Sequence, residues 1–412
     1  MPSDLRERPY YRWAVVAMLW FVCLFNYADR QSIFSVFPLL AREFHLSDLQ
    51  LSVIAASFMW MYAGSGPAAG WISDRLSRKT VILGALMFWS VATGLTAFAT
   101  GYRSLVLIRS LGGLAEAFYF PAAMSMLADF HGPGTRSRAM SIHQSSVYVG
   151  SIAGATLSAV IAERHGWRPA FMLFGAGGLG LGVLLLLMLR EPVRTAATEG
   201  KRVAGEAGVL KAVGDVFRNR LALSLIAIFI GANFVAVIFL TWLPTFLYRK
   251  FNMTLAMAGF NATAYLQMAS VAGVILGGVL ADRASKRRRS GRVHVQAMGL
   301  LLGVPFLFLS GWTTSTKILL ASFVGFGLFK GLYDANIWAS LYDVVPASRR
   351  GVAAGVMNSL GWLGGGMAPI LVAAAMRGTS LSVCISATAG IYLILGLGAL
   401  LVKRQLGEPP LV

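Results

Sequence analysis

The chain has 412 residues, 57% of them apolar and only 13% charged, with a formal net charge of +19. A soluble domain carries about 45–50% apolar and about 25% charged residues, so this composition excludes an ordinary soluble enzyme and points to the membrane. The two cysteines, Cys23 and Cys384, lie far apart in apolar segments, which leaves neither a disulfide framework nor a metal-ligand spacing.

The opening MPSDLRERPYYRW feeds into an apolar run longer than a signal-peptide core, with no small-residue cleavage pattern close behind, and reads as a retained first transmembrane helix. Apolar spans of roughly 20 or more residues then recur. The predicted spans are 13–39, 50–72, 79–99, 104–129, 140–163, 168–189, 221–247, 255–281, 294–313, 317–344, 351–375 and 380–402. One long polar linker, 190–220, splits them six and six, giving an N-terminal bundle over 1–189 and a C-terminal bundle over 221–412. The expected fold is an all-α membrane protein of twelve transmembrane helices in two pseudo-symmetric six-helix bundles.

With the N-terminus inside, 25 of the 36 Lys and Arg fall in inner segments and eight in outer loops; Arg30, Arg109 and Lys330 lie within spans. That asymmetry places both termini in the cytoplasm, the chain crossing a cell (inner) membrane. It also accounts for the basic charge without a nucleic-acid partner.

The halves repeat. GWISDRLSRK (70–79) follows the second span and GVLADRASKR (278–287) the eighth, so Gly70 and Asp74 map on Gly278 and Asp282. TRSRAM (135–140) and ASRRGV (347–352) echo each other at a similar offset. Parallel six-span halves with a site between them at mid-membrane describe a secondary transporter. Gly70, Asp74, Arg75, Arg78 and Lys79 resemble the signature loop of the major facilitator superfamily, with Ser77 where Gly is usual. The resemblance implies that this loop closes a cytoplasmic gate, the aspartate meeting a helix terminus and the arginine an acid near the sixth span, for which Glu191 is the matching residue. Asp282 and Arg283 stand in the second, more degenerate copy. The alternative is that the loop charges serve topology alone.

Asp29 and Arg30, in FNYADRQSIF, interrupt the first span, where each charge costs about 2.5–3.5 kcal/mol on insertion scales. Helix neighbours point about 100° apart, so each needs another partner. The fourth span, IRSLGGLAEAFYF, places Arg109 and Glu116 seven residues apart on one face, roughly 10 Å along the axis. At about 1.5 Å per residue, Asp29 falls roughly 15 Å deep, between Arg109 at roughly 8 Å and Glu116 at roughly 18 Å. Gly112 and Gly113 let a neighbouring backbone approach. Two acids and two bases in a wet cavity suit a symporter: Asp29 and Glu116 handle protons, Arg109 holds whichever acid is ionised, and Arg30 forks two hydrogen bonds to an anionic substrate. The alternative is a static ion network that fixes helix register.

NYADR, RSLGGLAEAFYFPAA, TWLPTFL (241–247) and WASLYDVVPASRRGVAAGVMN together resemble the anion:cation symporters that import galactonate, glucarate and related sugar acids. The resemblance implies protonation at Asp29 and Glu116, and substrate contact at Arg30 and Tyr27. FHLSDLQ and GWISDRLSRKTVILGALMFWSVATG resemble spinster-type lysolipid transporters, which share the Asp-Arg and Glu positions. Further substrate candidates are Gln144 and Tyr148 on the fifth span and Asn336, Trp338 and Asn358 in the second half, weighed against simple helix-tying roles. Lys330 and Asp334 form an i, i+4 pair, read as near the inner side, that either closes on itself or meets substrate. His143 is expected to tie helices and not to bind metal.

GAGGLG (175–180) fits a dinucleotide fingerprint but follows no strand, so its glycines are for helix packing. No Walker, HExxH or GxSxG motif is present, and no cofactor beyond the coupling proton is expected. The fifth span lacks the Gly-Pro pair of the superfamily's drug antiporters. The expected function is monomeric, proton-coupled uptake of a small organic anion such as a sugar acid, with a lysolipid or amphiphile transporter, or a small-molecule exporter, as the alternatives.

Overall fold

The computed structural model describes residues 9–131, 133–191, 206–288, 290–346 and 349–406. Among the described residues every regular element is a helix, fifteen in all. The first eight are α1 (Pro9–Ser35), α2 (Phe37–Glu43), α3 (Asp48–Arg75), α4 (Arg78–Thr96), α5 (Tyr102–Glu116), α6 (Tyr119–Phe130), α7 (Pro133–His165) and α8 (Arg168–Met188). A linker helix follows, α9 (Glu206–Arg218), and then α10 (Arg220–Lys250), α11 (Leu255–Ser285), α12 (Gly291–Trp312), α13 (Thr316–Val344), α14 (Arg350–Ala375) and α15 (Leu381–Gln405). The chain divides into two compact units, Met1–Val203 with Thr254–Phe260, and Ala204–Met253 with Asn261–Val412. The division falls inside the polar stretch 190–220, and α9 belongs to the second unit.

Among the described residues eleven helical segments are long and apolar enough to cross a membrane. The helix in the place of the second predicted span, α3, has 28 residues, but Ser, Gly, Pro and aromatic side chains dilute its hydropathy. Local chemistry sets the ends. Ser47 accepts from the Gln50 amide while Gln50 accepts from the Ser47 amide, a reciprocal cap at the start of α3. Asn219 and Ser380 cap α10 and α15. Gly166, at φ +79°, makes the left-handed turn between α7 and α8 that a side chain would resist.

Two predicted spans are broken helices. The first, read as continuous over 13–39, ends at Ser35 and resumes at Phe37, because Pro38 has no amide to return to Phe34. The fourth, read as continuous over 104–129, breaks between Glu116 and Tyr119. Pro121 can neither donate to the Ala117 carbonyl nor tolerate it closely, and the turn before it tightens into Phe118 N–H to Ala115 O at 3.3 Å. The candidate coupling acid therefore sits at a helix discontinuity.

Glycines set the helix spacing within the first unit. A Cβ on Gly150 or Gly154 of α7 would lie 2.6 Å from Leu24 O or 2.1 Å from Ala28 O of α1. One on Gly175 of α8 would lie 2.6 Å from Gly94 N of α4, so the GAGGLG glycines are helix-packing positions. Beneath these contacts Leu19, Val22, Cys23, Trp89, Tyr119 and Met126 form a continuous core.

Candidate functional site

The close α1–α7 contact fixes the helix just before Asp29 and Arg30, which are 5% and 8% exposed. Arg30 Nε donates to Glu116 Oε2 at 2.5 Å. Its guanidinium lies over the rings of Tyr27 (4.8 Å), Phe58 (5.1 Å) and Tyr62 (4.6 Å). These rings replace part of the lost hydration with their negative faces. Asp29 accepts from the Thr93 hydroxyl of α4, which is also 2.9 Å from the Trp89 carbonyl.

Arg109, 4% exposed, packs its guanidinium 4.6 Å from the Phe58 centroid. Phe58 thus serves both arginines. Its backbone meets Gly113 of α5, where a Cβ would lie 2.2 Å from the Phe58 carbonyl. Both cations lie close enough to act on the charges of Asp29 and Glu116. Among the described residues Arg109 Nε and Nη2 have no acceptor, and Glu116 Oε1 has no donor. Buried polar atoms left this way are costly, and they aim hydrogen-bonding capacity at whatever enters. The structure thus gathers Tyr27, Asp29, Arg30, Arg109 and Glu116 into one cluster. Sequence reasoning missed Phe58, Tyr62 and Thr93; the i, i+4 aromatic pair in SFMWMY was the available signal.

Other candidates are placed differently. His143 is fully buried and shares a 2.8 Å hydrogen bond with Tyr119, whose hydroxyl donates to the Leu19 carbonyl. The hydroxyl has one proton, so His143 Nε2 must donate, and the ring ties α7 to α6 and α1. Gln144 is exposed and Tyr148 half-buried on α7. In the second unit Asn336, 2% exposed, donates to the carbonyls of Gly277 and Leu332, linking α13 to α11. Trp338 meets Phe229 edge-on at 5.2 Å, and Asn358 is half-buried. Lys330 and Asp334 do form an ion pair. They sit near the middle of α13, which extends equally far on both sides of Lys330.

At the expected gate loop Gly70 and the side chains of Asp74 and Arg75 lie outside what the structure describes. Glu191 accepts from the amides of Arg78 (2.9 Å) and Lys79 (2.8 Å) and from the Ser77 hydroxyl (2.8 Å). It is an anion at the start of α4, where the helix dipole favours it. The Arg78 guanidinium pairs with Asp129 and donates to the Ser125 carbonyl at 2.5 Å. The second unit repeats this arrangement: Arg292 pairs with Asp343 at 2.6 Å, both residues 214 positions after their counterparts. Asp282 and Arg283 are exposed. Beside the first loop, His131 is held by the Arg12 carbonyl at 3.1 Å, and burial pushes its imidazolium down from the ordinary range.

The Major Facilitator Superfamily model matches residues 19–369, most of the chain. The protein belongs to the Major Facilitator Superfamily. This transporter is 25% identical over 401 residues to the Escherichia coli (strain K12) "Probable galactarate/D-glucarate transporter GudP", covering 90% of this chain and 88% of the relative. It is 28% identical over 375 residues to the "Probable sulfoacetate transporter SauU" of Cupriavidus necator, covering 87% and 85%. A solved bacterial homologue of the human lysosomal transporter spinster, inward-facing and unoccupied, superposes with a TM-score of 0.83 at 21% identity, over 96% of this chain and 98% of that one. The transporter is therefore a multi-pass membrane protein of the MFS fold and not an enzyme.

Proposed function

We propose that this transporter is a proton-coupled symporter for a small organic anion, a sugar acid or related carboxylate, working by alternating access in a cell inner membrane with both termini cytoplasmic. The observation that carries the reading is the buried Arg30–Glu116 pair beside Arg109, whose two N–H groups lack an acceptor. Protonating Glu116 removes the charge that holds Arg30. The guanidinium is then free to fork onto a carboxylate while Arg109 supplies further donors. Proton and anion thus favour each other's binding, the linkage a symporter needs. Asp29, facing Arg109 and Thr93, is the second proton-handling group. The cargo named for the curated relatives, galactarate, D-glucarate and sulfoacetate, is anionic throughout, which supports the same class here.

A second reading, an amphiphile transporter, has one observation in its favour. Trp13, Val16, Ala17, Trp20, Phe21 and Ile142 line an apolar groove of about 290 Å³ on α1 and α7. A thermal-shift screen of hexonates, hexarates, hexuronates, aromatic acids and lysolipids separates the two, since a ligand of the folded state stabilises it. Proteoliposomes under an inward proton gradient should then accumulate the stabilising acid. Stabilisation by lysolipid alone would overturn the anion reading.

A further inference from the structure

We infer that the second unit carries an anionic-phospholipid site at the junction of the α11–α12 loop with the end of α15. This inference does not rest on the cargo proposed above. The repeated ion pairs supply the register. Asp74 and Arg78 are four positions apart, whereas Asp282 and Arg292 are ten apart. Since Arg78–Asp129 and Arg292–Asp343 are equivalent contacts, the second loop holds a six-residue insertion that this contact does not require. The enlarged loop, RASKRRRSG, gains Lys286, Arg287, Arg288 and Arg289 over the first copy, which has only RLS in that place.

The loop is not loosely splayed. Arg287 and Arg288 donate their amides to the Ala284 carbonyl at 3.1 and 3.0 Å, and Gly291 donates to the Arg288 carbonyl at 3.0 Å. A Cβ on Gly291 would lie 2.4 Å from the Ala284 carbonyl carbon, so the turn is folded onto the end of α11. Lys286, Arg287 and Arg288 are exposed on it.

A second basic segment is brought alongside. Helices α12 and α15 run antiparallel in close contact, with Gly311 against Ser386, Gly303 against Tyr392, and Gly396 against Leu300 and Leu301. Continuing that register sets His294 beside Lys403, and the charges of both Lys403 and Arg288 reach His294. Lys403 and Arg404 thus join Arg283, Lys286, Arg287 and Arg288 in one patch. Among the described residues the acids on these segments are Asp282, which is exposed, and Asp343, which is held by Arg292.

Apolar helices end directly beneath these cations. Basic clusters at helix ends recruit anionic headgroups, with acyl chains lying along the apolar flank. The first copy of the loop keeps the equivalent ion pair with fewer basic residues. Each basic residue near a membrane surface strengthens attraction to anionic lipid by about fivefold, so removing three should weaken binding at least tenfold.

The test uses full-length protein in a neutral detergent, titrated with short-chain phosphatidylglycerol and followed by thermal unfolding. Wild type should be stabilised by phosphatidylglycerol and not by phosphatidylcholine of equal chain length. The variant Lys286→Gln/Arg287→Gln/Lys403→Gln should need at least tenfold more lipid for half the effect, and Arg103→Gln/Arg377→Gln, neutralised elsewhere, should match wild type. Equal half-effects in wild type and the triple variant would overturn the site. So would equal stabilisation by phosphatidylcholine, or full reproduction of the effect by inorganic phosphate or a short RNA. Should the triple variant fail to fold, the single variants Arg287→Gln and Lys403→Gln must each give a several-fold loss, and no loss in either is an overturning result.

Discussion

Arg30 and Glu116, 86 residues apart in sequence, form a buried hydrogen-bonded ion pair at 2.5 Å. The pair lies where α5 ends, at the break imposed by Pro121. Removing one partner of such a pair strands a charge, which typically costs about 3–5 kcal/mol, and protonating Glu116 likewise leaves the Arg30 cation buried without its counter-ion, a place an anion can take. The proposed role of the pair as a proton-sensitive latch rests on this stranded cation and motivates the first two expectations.

Glu116→Gln imitates the protonated acid. Proton-driven accumulation of the acid substrate should be abolished in proteoliposomes, while counterflow exchange, which needs no net proton movement, persists. Concentrative uptake in this variant would remove Glu116 from the coupling role.

Arg30→Lys keeps the charge and loses the planar fork. Calorimetry with the acid substrate should show at least tenfold weaker binding, about 1.4 kcal/mol, with the neutral amide analogue binding poorly to both proteins. Equal affinity for the acid in both would leave Arg30 as a structural partner of Glu116 only.

Gly113 and Gly112 are adjacent yet should respond differently. A methyl on Gly113 meets the Phe58 carbonyl oxygen at 2.2 Å, which cannot move without shifting α3, whereas one on Gly112 meets only Phe58 Cδ2 at 4.0 Å. Gly113→Ala should destabilise by about 1–3 kcal/mol and Gly112→Ala by much less. Matching melting temperatures would mean that the α3–α5 contact tolerates the methyl.

Glu191→Ala removes the acceptor for two amides and a hydroxyl at the start of α4. Loss of a helix cap of this kind costs about 0.5–2 kcal/mol, read as a lower unfolding temperature. Glu191→Asp, which keeps the charge at the helix start, should recover part of it. If alanine and aspartate behave alike, the cap contributes nothing measurable.

Glu43 accepts from the Trp167 indole at 2.6 Å and pairs with Arg168 at 2.6 Å, and that hydrogen bond to Arg168 holds its carboxyl below the ordinary glutamate range. A depressed carboxyl contributes stability above its unfolded pKa, and that contribution is lost as pH falls through the folded value. Because the pair is partly exposed, the effect is at most about 1 kcal/mol. Glu43→Gln should lower the unfolding temperature slightly at pH 7, with the difference closing below about pH 4. A difference that widens in acid would contradict the assignment.

Much of this protein is legible from its residues alone. Hydrophobic runs of bilayer length must become helices, since no other open structure satisfies the backbone in lipid, so long helices on either side of one polar linker follow from composition along the chain. The expense of Asp29, Arg30, Arg109 and Glu116 in apolar surroundings marked them out, and seven-residue spacing put two of them on one helix face. What sequence could not decide was pairing. Whether Glu116 takes Arg30 or Arg109 depends on how α1 is set against α5, and the contacts of Gly150 and Gly154 with Leu24 and Ala28 help to fix α1. Phe58, Tyr62 and Thr93 carry no charge to flag them, and only the approach of α3 at Gly113 and the position of α4 bring them to the arginines and Asp29. The breaks at Pro38 and Pro121 were written in the sequence but masked by the unbroken hydropathy around them. Hydrophobicity reports how much surface must be buried, and it is blind to which polar atoms meet once it is.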